Sequence, residues 1–320
     1  MAYSIISDLH INSSNLLYEQ NRIEVLVEIL LQTESVNSIL IFNGDTFDRN
    51  RPTLDDIKIF YHMIDRLSSI YRIYISAGNH DYSCFHYLPH TNFTYIDGIL
   101  DLDEHIRIVS WNNIHTYTKG KFSEDAHDKI LVTHARCTIE PYIKEEVDIK
   151  KLYTNHKAVI LGDIHRPLKL SANCMYTASP SSVTYVIPKA KQHGYIKVSS
   201  SLEISRHFLD IPNKIKLTYN SVDECLIAIK NLSKTNLYKL SVKDTPENLV
   251  RLRDLKDKNI ILDPIPQIGR SKVDDSFSDI LEHRTSIKDL LYGYMRDNHK
   301  FSEAIILEAD KRLSQLRIKT

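Results

Sequence analysis

Residues 38–48 read SILIFNGDTFD, and this stretch decides the fold. A short apolar run rich in isoleucine, closed by glycine and polar residues, is typical of a strand buried on both faces. The same arrangement recurs in YRIYISAGNHD (71–81) and KAVILGDIH (157–165). Only eight glycines occur in 320 residues, against about 22 at average usage. The glycines that close these three runs, Gly44, Gly78 and Gly162, therefore predict strands that end in tight turns.

Two further runs follow the pattern without glycine, YSIISDLH (3–10) and KILVTHAR (129–136). The segments between runs, 17–32 and 54–70, place apolar residues at helical spacing. Strands that alternate with helices predict a layered α/β sandwich over roughly the first 200 residues. In such domains, functional groups gather at the carboxyl ends of the strands.

Each of the five runs ends in aspartate, asparagine or histidine, which are metal-binding residue types without a thiolate. Alone, each fragment is weak evidence for a metal site, because a single histidine is more often a surface or core residue than a ligand. Together they predict a site for Mn²⁺, Fe²⁺, Zn²⁺ or Mg²⁺, with enough ligands for two ions. The candidates, in chain order, are Asp8, His10, Asp45, Asp48, Asn79, His80, Asp81, His134, Asp163 and His165.

Composition excludes several classes of protein. The chain is 42% hydrophobic and 26% charged, and it has no run near the about 18 apolar residues of a membrane span. Its start, MAYSIISDLH, lacks a basic leader, so we expect a cytoplasmic protein. The four cysteines form no C-x-x-C pair and are expected to be reduced. Residues 1–160 carry 15 basic and 22 acidic side chains, whereas residues 161–320 carry 26 basic and 19 acidic ones. An acidic half suits bound cations and a basic half suits phosphates. The other interpretation is ordinary variation of the surface charge.

In order, these fragments resemble the motifs of the calcineurin-like metallophosphoesterases, D-x-H, G-D-x-x-D, G-N-H-[DE], a later histidine and G-H-x-H, over residues 5–165. The resemblance implies a two-sheet α/β sandwich flanked by helices, with a dinuclear metal centre. Within the family, GDTFDRNRP (44–52), DLHIN (8–12) and YTASPSSVTY (176–185) look most like SbcD-type chains. These are the nuclease subunits of SbcCD-like complexes, and the recombination exonuclease subunits of bacteriophages are similar.

The resemblance also implies how the metal ligands divide. One ion would be held by Asp8, His10 and His165, the other by Asn79, His134 and the residue at 163, and Asp45 would bridge them. The family usually has histidine where this chain has Asp163. A carboxylate is a competent ligand and favours Mn²⁺, with Mg²⁺ as the alternative. The other interpretation of Asp163 is a turn-capping residue that leaves one metal shell incomplete.

The implied chemistry is two-metal hydrolysis of a phosphodiester. His80 would donate a proton to the leaving oxygen and Asp48 would orient it, or His80 would merely pack beside the metals. Arg49 and Arg51 would bind phosphate, or remain solvated loop residues. Other classes stay open: a phosphomonoesterase or protein phosphatase on the same metal core, or a non-catalytic scaffold.

We predict three domains. Residues 1–204 form the metallophosphoesterase nuclease domain, and residues 205–270 form a small α/β module that the resemblance identifies as a cap that steers DNA. Residues 271–320 carry two amphipathic helices that either pack on the cap or dock on a partner. By resemblance, that partner is the SbcC-like, SMC-type ATPase subunit, the chain forms a homodimer, and it acts on DNA in recombination, repair and replication, in the host cytoplasm if it is phage-encoded.

Overall fold

A computed structural model describes residues 2–33, 37–120, 122, 124–137, 147–187, 192–252, 257 and 259–266. The predicted helical segment 271–320 lies outside the described residues. In chain order, the strands are β1 (Tyr3–Ile6), β2 (Ser38–Asn43), β3 (Tyr71–Ser76), β4 (Thr94–Ile96), β5 (Ile99–Asp101), β6 (Ile106–Val109), β7 (Ile130–His134), β8 (Ala158–Gly162), β9 (Leu168–Ser171), β10 (Cys174–Tyr176), β11 (Gly194–Val198), β12 (Ile204–Phe208), β13 (Lys214–Tyr219), β14 (Leu237–Asp244) and β15 (Ile260–Pro266). The α-helices are α1 (Leu16–Thr33), α2 (Leu54–Leu67), α3 (Trp111–Lys119), α4 (Ile149–Asn155), α5 (Val222–Ile229) and α6 (Pro246–Leu249).

Two six-stranded sheets contain twelve of these strands, in the orders β12-β11-β1-β2-β3-β4 and β5-β6-β7-β8-β10-β9. In the first sheet β1 to β4 run parallel, and β11 pairs antiparallel with β1. In the second sheet β6, β7, β8 and β10 run parallel. Because parallel strands end at the same edge of a sheet, the polar residues that follow β1, β2, β3, β7 and β8 collect on one side of the molecule.

The alternation along β2 shows why the strands are apolar throughout. Leu40 and Phe42 pack in a cluster with residues of α1 and α2, whereas Ile39 and Ile41 pack in the cluster between the two sheets. Successive side chains of a strand point to opposite faces, so a strand covered on both sides has no solvent face. A third cluster, which includes Leu152 of α4, covers the outer face of the second sheet. The predicted two-sheet sandwich flanked by helices is confirmed.

A small third sheet, β13-β14-β15, follows the sandwich. With α5 and α6 it has a β-α-β-α-β order, and its own apolar cluster includes Val222, Cys225 and Leu240. The domain boundaries at residues 204 and 270 stay predictions. Within the described part of the chain, no helix has both the length and the apolar character needed to cross a membrane.

Candidate metal centre

The loops after β1 and β2 are joined by backbone hydrogen bonds. The N–H of Asp8 donates to the carbonyl of Gly44 at 3.1 Å, and the N–H of His10 donates to the carbonyl of Asp45 at 2.8 Å. From the second sheet, the carbonyl of Thr133 accepts a hydrogen bond at 2.9 Å from the side-chain amide of Asn43. These bonds bring the ends of β1, β2 and β7 to one place.

Four predicted site residues adopt left-handed backbone conformations. The φ angles are 56° at Asp8, 47° at His10, 51° at Asp45 and 95° at Asp163. Such conformations cost about 1–3 kcal/mol each and persist where the surrounding structure imposes them, commonly at functional sites. Half of the eight non-glycine residues with positive φ in the described part of the chain are therefore predicted site residues.

The first group of ligand atoms comes from Asp8, His10 and His165, which lie within 4.8 Å of one another. The two Nε2 atoms of His10 and His165 are 3.2 Å apart, and Nε2 of His165 is 3.6 Å from Oδ1 of Asp8. Metal–ligand bonds of about 2.0–2.2 Å place neighbouring ligand atoms roughly 3 Å apart, so this spacing suits one cation.

The second group contains Asp8, Asp45 and His134, again within 4.8 Å. Nε2 of His134 lies 3.1 Å from Oδ1 of Asn79, and its Nδ1 lies 3.0 Å from the carbonyl oxygen of Asn43. A backbone carbonyl accepts a hydrogen bond from Nδ1–H, which leaves Nε2 as the donor atom for a metal. Asn79 and His134 thus face the same point, as predicted for the second ion.

Asp45 lies between the two groups. Its Oδ2 atom is 3.6 Å from Nε2 of His10 and 3.4 Å from Nε2 of His134. Its Oδ1 atom accepts a hydrogen bond from the N–H of His80 at 2.9 Å. This is the position expected of a bridging carboxylate, and the whole set of carboxylate, imidazole and amide donors fits two divalent cations.

Electrostatics at the centre favour cations. Burial disfavours the charged form of His134, but the carboxylates of Asp45, Asp8 and Asp163 outweigh burial and raise its pKa to about 10. For His10, the carboxylates of Asp48, Asp45 and Asp8 likewise outweigh burial and raise the pKa. Burial raises the pKa of Asp45, but the neighbouring His134 and His10 outweigh it and hold that pKa below its usual value.

Three glycines provide room for these side chains. A Cβ at Gly44 or Gly162 would collide with the ring of His134, and a Cβ at Gly78 would collide with the carboxylate of Asp45. Of the three, only Gly44 has a positive φ, +84°. The sequence predicted turn glycines, whereas the structure shows that close approach of a metal-site side chain excludes a Cβ at all three positions.

The sequence predicted that Asp48 orients His80, and the structure differs in the atoms involved. The Asp48 carboxylate accepts hydrogen bonds from Nδ1 of His10 at 3.1 Å and from Nδ2 of Asn12 at 2.7 Å. His80 instead uses its Nδ1 to donate to the backbone carbonyl of Asp48 at 3.0 Å, and its ring is exposed. The loop geometry directs the carboxylate toward the first group of ligand atoms, so the Asp48 side chain contacts His10, a predicted metal ligand.

The two loop arginines differ in their surroundings. Arg49 donates from Nη2 to Oδ1 of Asn12 at 3.1 Å, which links it through Asn12 and Asp48 to His10. Arg51 is exposed. Their predicted role in phosphate binding stays a prediction.

Asp81, one of the candidates at the strand ends, has a structural position. Its buried carboxylate accepts from the N–H of Gly78 at 2.8 Å and from the N–H of Phe47 at 3.0 Å. Burial and the nearby Asp45 raise its pKa to about 6. Asp81 therefore ties the loop after β3 to the loop after β2.

Asp163, predicted as a metal ligand, contacts an arginine that sequence reasoning missed. Its Oδ2 accepts from Nε of Arg136 at 2.8 Å, and its Oδ1 accepts from Nη2 of the same arginine at 2.9 Å. The ligand groups found among the described residues do not include Asp163. Arg136 stands two positions after His134, in the run KILVTHAR, and that i, i+2 spacing is the signal that would have identified it.

The fold and the site together define a metal-dependent phosphoesterase. The profile of the calcineurin-like phosphoesterases matches residues 1–171. The chain belongs to this family, whose members use divalent metals. At the level of single proteins, it is 23% identical, over 239 residues that cover 69% of each chain, to the "Probable exonuclease subunit 1" of Escherichia phage T5.

Proposed function

We propose that this protein is a DNA nuclease subunit that hydrolyses phosphodiesters with two divalent cations, Mn²⁺ being the first candidate. The observation that supports this most directly is the position of Asp45, whose Oδ2 lies 3.6 Å from Nε2 of His10 and 3.4 Å from Nε2 of His134. A carboxylate between two imidazole-containing groups suits a pair of ions that act on one phosphate.

The proposed ligands divide between the ions around the shared Asp45. Asp8, His10 and His165 hold one ion, and Asn79 and His134 hold the other. When bound, the cations lower the pKa of a water molecule and neutralise charge on the phosphate oxygens. The protein residues set the geometry: Asp48 holds the ring of His10, and the carbonyl of Asn43 holds the ring of His134, each through the Nδ1 atom.

His80 is the proposed proton donor. Its Nδ1 is occupied by the carbonyl of Asp48, and its exposed ring lies 4.9 Å, centroid to centroid, from that of His10. Only the doubly protonated ring of His80 also has a proton on Nε2, and in that form it can donate to a leaving sugar oxygen at the surface of the site. Arg49 and Arg51 flank this loop and are proposed to bind neighbouring phosphates.

Room for a substrate exists beside the first metal group. An open cavity of about 570 Å³ is lined by residues that include Asp163, His165, Arg166, Ser179 and His193. The module from β13 to β15 belongs to residues 205–270, which carry 12 basic and 8 acidic side chains. A basic surplus favours a polyanionic substrate.

The choice of DNA and of a partner rests on the phage T5 relative, which is named as an exonuclease subunit. We propose that this chain likewise acts with a second subunit, an SMC-type ATPase bound through residues 271–320. Removal of those residues should abolish ATPase-subunit binding and leave phosphodiesterase activity intact.

The experiment incubates the purified full chain and Mn²⁺ with end-labelled duplex DNA, single-stranded DNA and a phosphomonoester. Asp45→Ala is the control for a contaminating nuclease, and Asp55→Ala, an exposed acidic residue of α2, is the matched control for loss of one carboxylate. Metal-dependent DNA cleavage that Asp55→Ala keeps and Asp45→Ala loses supports the proposal. Turnover of the monoester alone would indicate a phosphatase. No turnover of any substrate would indicate a scaffold or a subunit that is inactive without its partner.

A further inference from the structure

The Arg136–Asp163 pair is an unexplained feature of the metal centre. Two parallel hydrogen bonds, at 2.8 and 2.9 Å, join the guanidinium to the carboxylate. The side chain of Asp163 is 5% exposed and that of Arg136 is 31% exposed. Such bidentate pairs have directional geometry and are stronger than bonds between neutral groups.

The backbone of Asp163 also forms a hydrogen bond within the site. Its N–H donates to the carboxylate of Asp8, at 3.1 Å from Oδ1, and its φ is 95°. The backbone thus supports a ligand of the first ion while the side chain contacts Arg136. Two separate interactions hold the residue in an arrangement in which both carboxylate oxygens accept from the arginine.

Charge explains why this arrangement is tolerated where the family has histidine. An unpaired aspartate would add one negative charge to the centre, whereas a neutral histidine adds none. Paired with Arg136, Asp163 also adds none. The pair therefore adds no net charge, as a neutral histidine adds none, but its carboxylate is oriented toward the guanidinium and lies outside the ligand groups of the described residues.

The two ions then have unequal protein ligands. Around the shared Asp45, the first ion has two imidazoles, from His10 and His165. The second has one imidazole, from His134, and the neutral amide oxygen of Asn79, which is a weaker donor.

We propose that Arg136 is a positioning residue that holds Asp163 away from the second metal subsite, so that the centre binds one divalent cation tightly and the second more weakly. This inference rests on the proposed function, since it assumes a centre for two cations.

The test measures Mn²⁺ binding to the full chain by calorimetry, with unbound Mn²⁺ followed by electron paramagnetic resonance. The decisive variant is Asp163→Ala/Arg136→Gln, which removes the pair without changing net charge. We expect the affinity of the second ion to stay within about twofold of the unaltered chain. His134→Ala is the control that removes a proposed ligand of that ion, and it should lose the second ion.

Two further variants test whether Arg136 holds Asp163 away from the second subsite. Arg136→Gln should release Asp163 toward the second subsite and raise the affinity for the second ion about tenfold or more, because an unpaired carboxylate attracts a nearby cation. Asp163→His/Arg136→Gln places at position 163 the histidine that is usual in the family. This variant should also bind the second ion more tightly. Arg136→Gln keeps every candidate ligand and therefore tests the proposal even if the double variant does not fold.

Loss of the second ion in Asp163→Ala/Arg136→Gln, to the extent seen in His134→Ala, would overturn the inference and make Asp163 a ligand. Unchanged or weaker binding of the second ion in Arg136→Gln would also overturn it, as would two equally tight ions in the unaltered chain. Failure of the unaltered chain to bind any Mn²⁺ would instead contradict the proposed function.

Discussion

Oδ2 of Asp45 lies 3.4 Å from Nε2 of His134, and both side chains are buried. Because the pKa of His134 is raised to about 10, the ring of the metal-free protein carries a proton at neutral pH. A metal ion needs the Nε2 lone pair, so it must displace that proton.

Metal binding should release a proton and become tighter as pH rises. Between pH 6.5 and 8.5, both below the pKa of about 10 at His134, one displaced proton corresponds to about tenfold in affinity per pH unit. Calorimetry of Mn²⁺ binding in two buffers with different ionisation enthalpies measures the proton count directly. A metal affinity that is independent of pH would contradict the assignment of His134 as a ligand that must lose a proton.

The same shift sets the pH dependence of stability without metal. A histidine whose pKa is higher in the folded than in the unfolded state stabilises the fold fully below pH 6.5, and this stabilisation is lost as pH rises toward 10. The metal-free chain should therefore lose thermal stability over that range, as followed by circular dichroism. His134→Ala should remove this contribution.

Gly44→Ala should prevent normal metal binding, because its Cβ would collide with the ring of His134 at a backbone φ of +84°. Gly98→Ala is the matched control, since Gly98 also has a positive φ, +135°, but has nothing within 4 Å of an added Cβ. Both variants should lose about 1–3 kcal/mol to backbone strain. Only Gly44→Ala should also lose the increase in melting temperature that Mn²⁺ produces. Equal Mn²⁺ responses in the two variants would mean that the ring of His134 moves aside at little cost.

Asp48→Ala should lower the affinity of the first metal ion by about 10- to 100-fold, because the carboxylate holds Nδ1 of His10 at 3.1 Å. Direct titration with Mn²⁺ measures this effect without a substrate. Asp55→Ala should leave metal affinity unchanged. If Asp48→Ala instead keeps both ions and lowers turnover alone, the carboxylate acts on His80, as the sequence suggested.

His80→Ala should keep both metal ions and lower kcat by about 10²- to 10⁴-fold, the usual range for loss of a general acid. The ring of His80 is exposed, and it lies beside His10 and Asp48, with an edge-to-face contact to the ring of His10. The other proposed ligands should therefore keep their positions when this ring is removed. A substrate with a weakly basic leaving group needs no proton donor, so its turnover should be far less affected. Full activity of His80→Ala on DNA would exclude the proton-donor role.

The strands, their order along the chain and the polar residues that meet at their ends could be predicted from the sequence. Strand periodicity and a polar residue at the strand end are local properties, visible in stretches such as SILIFNGD. The profile match over residues 1–171 supports the same family that the motifs indicated. What the motifs could not supply is which atom of each residue faces which neighbour.

Asp48 and Asp163 illustrate that difference. The motif placed Asp48 beside His80, yet a carboxylate and the carbonyl of the same residue point in different directions, and only the loop conformation decides that His10 receives the carboxylate. Asp163 and Arg136 are 27 residues apart in the chain and meet because β7 and β8 are parallel neighbours. The motifs could indicate the residue types of the proposed metal centre, since ligand chemistry belongs to residue types. The tertiary structure decided the partner of each side chain, because hydrogen bonds and charge pairs form between residues that only folding brings together.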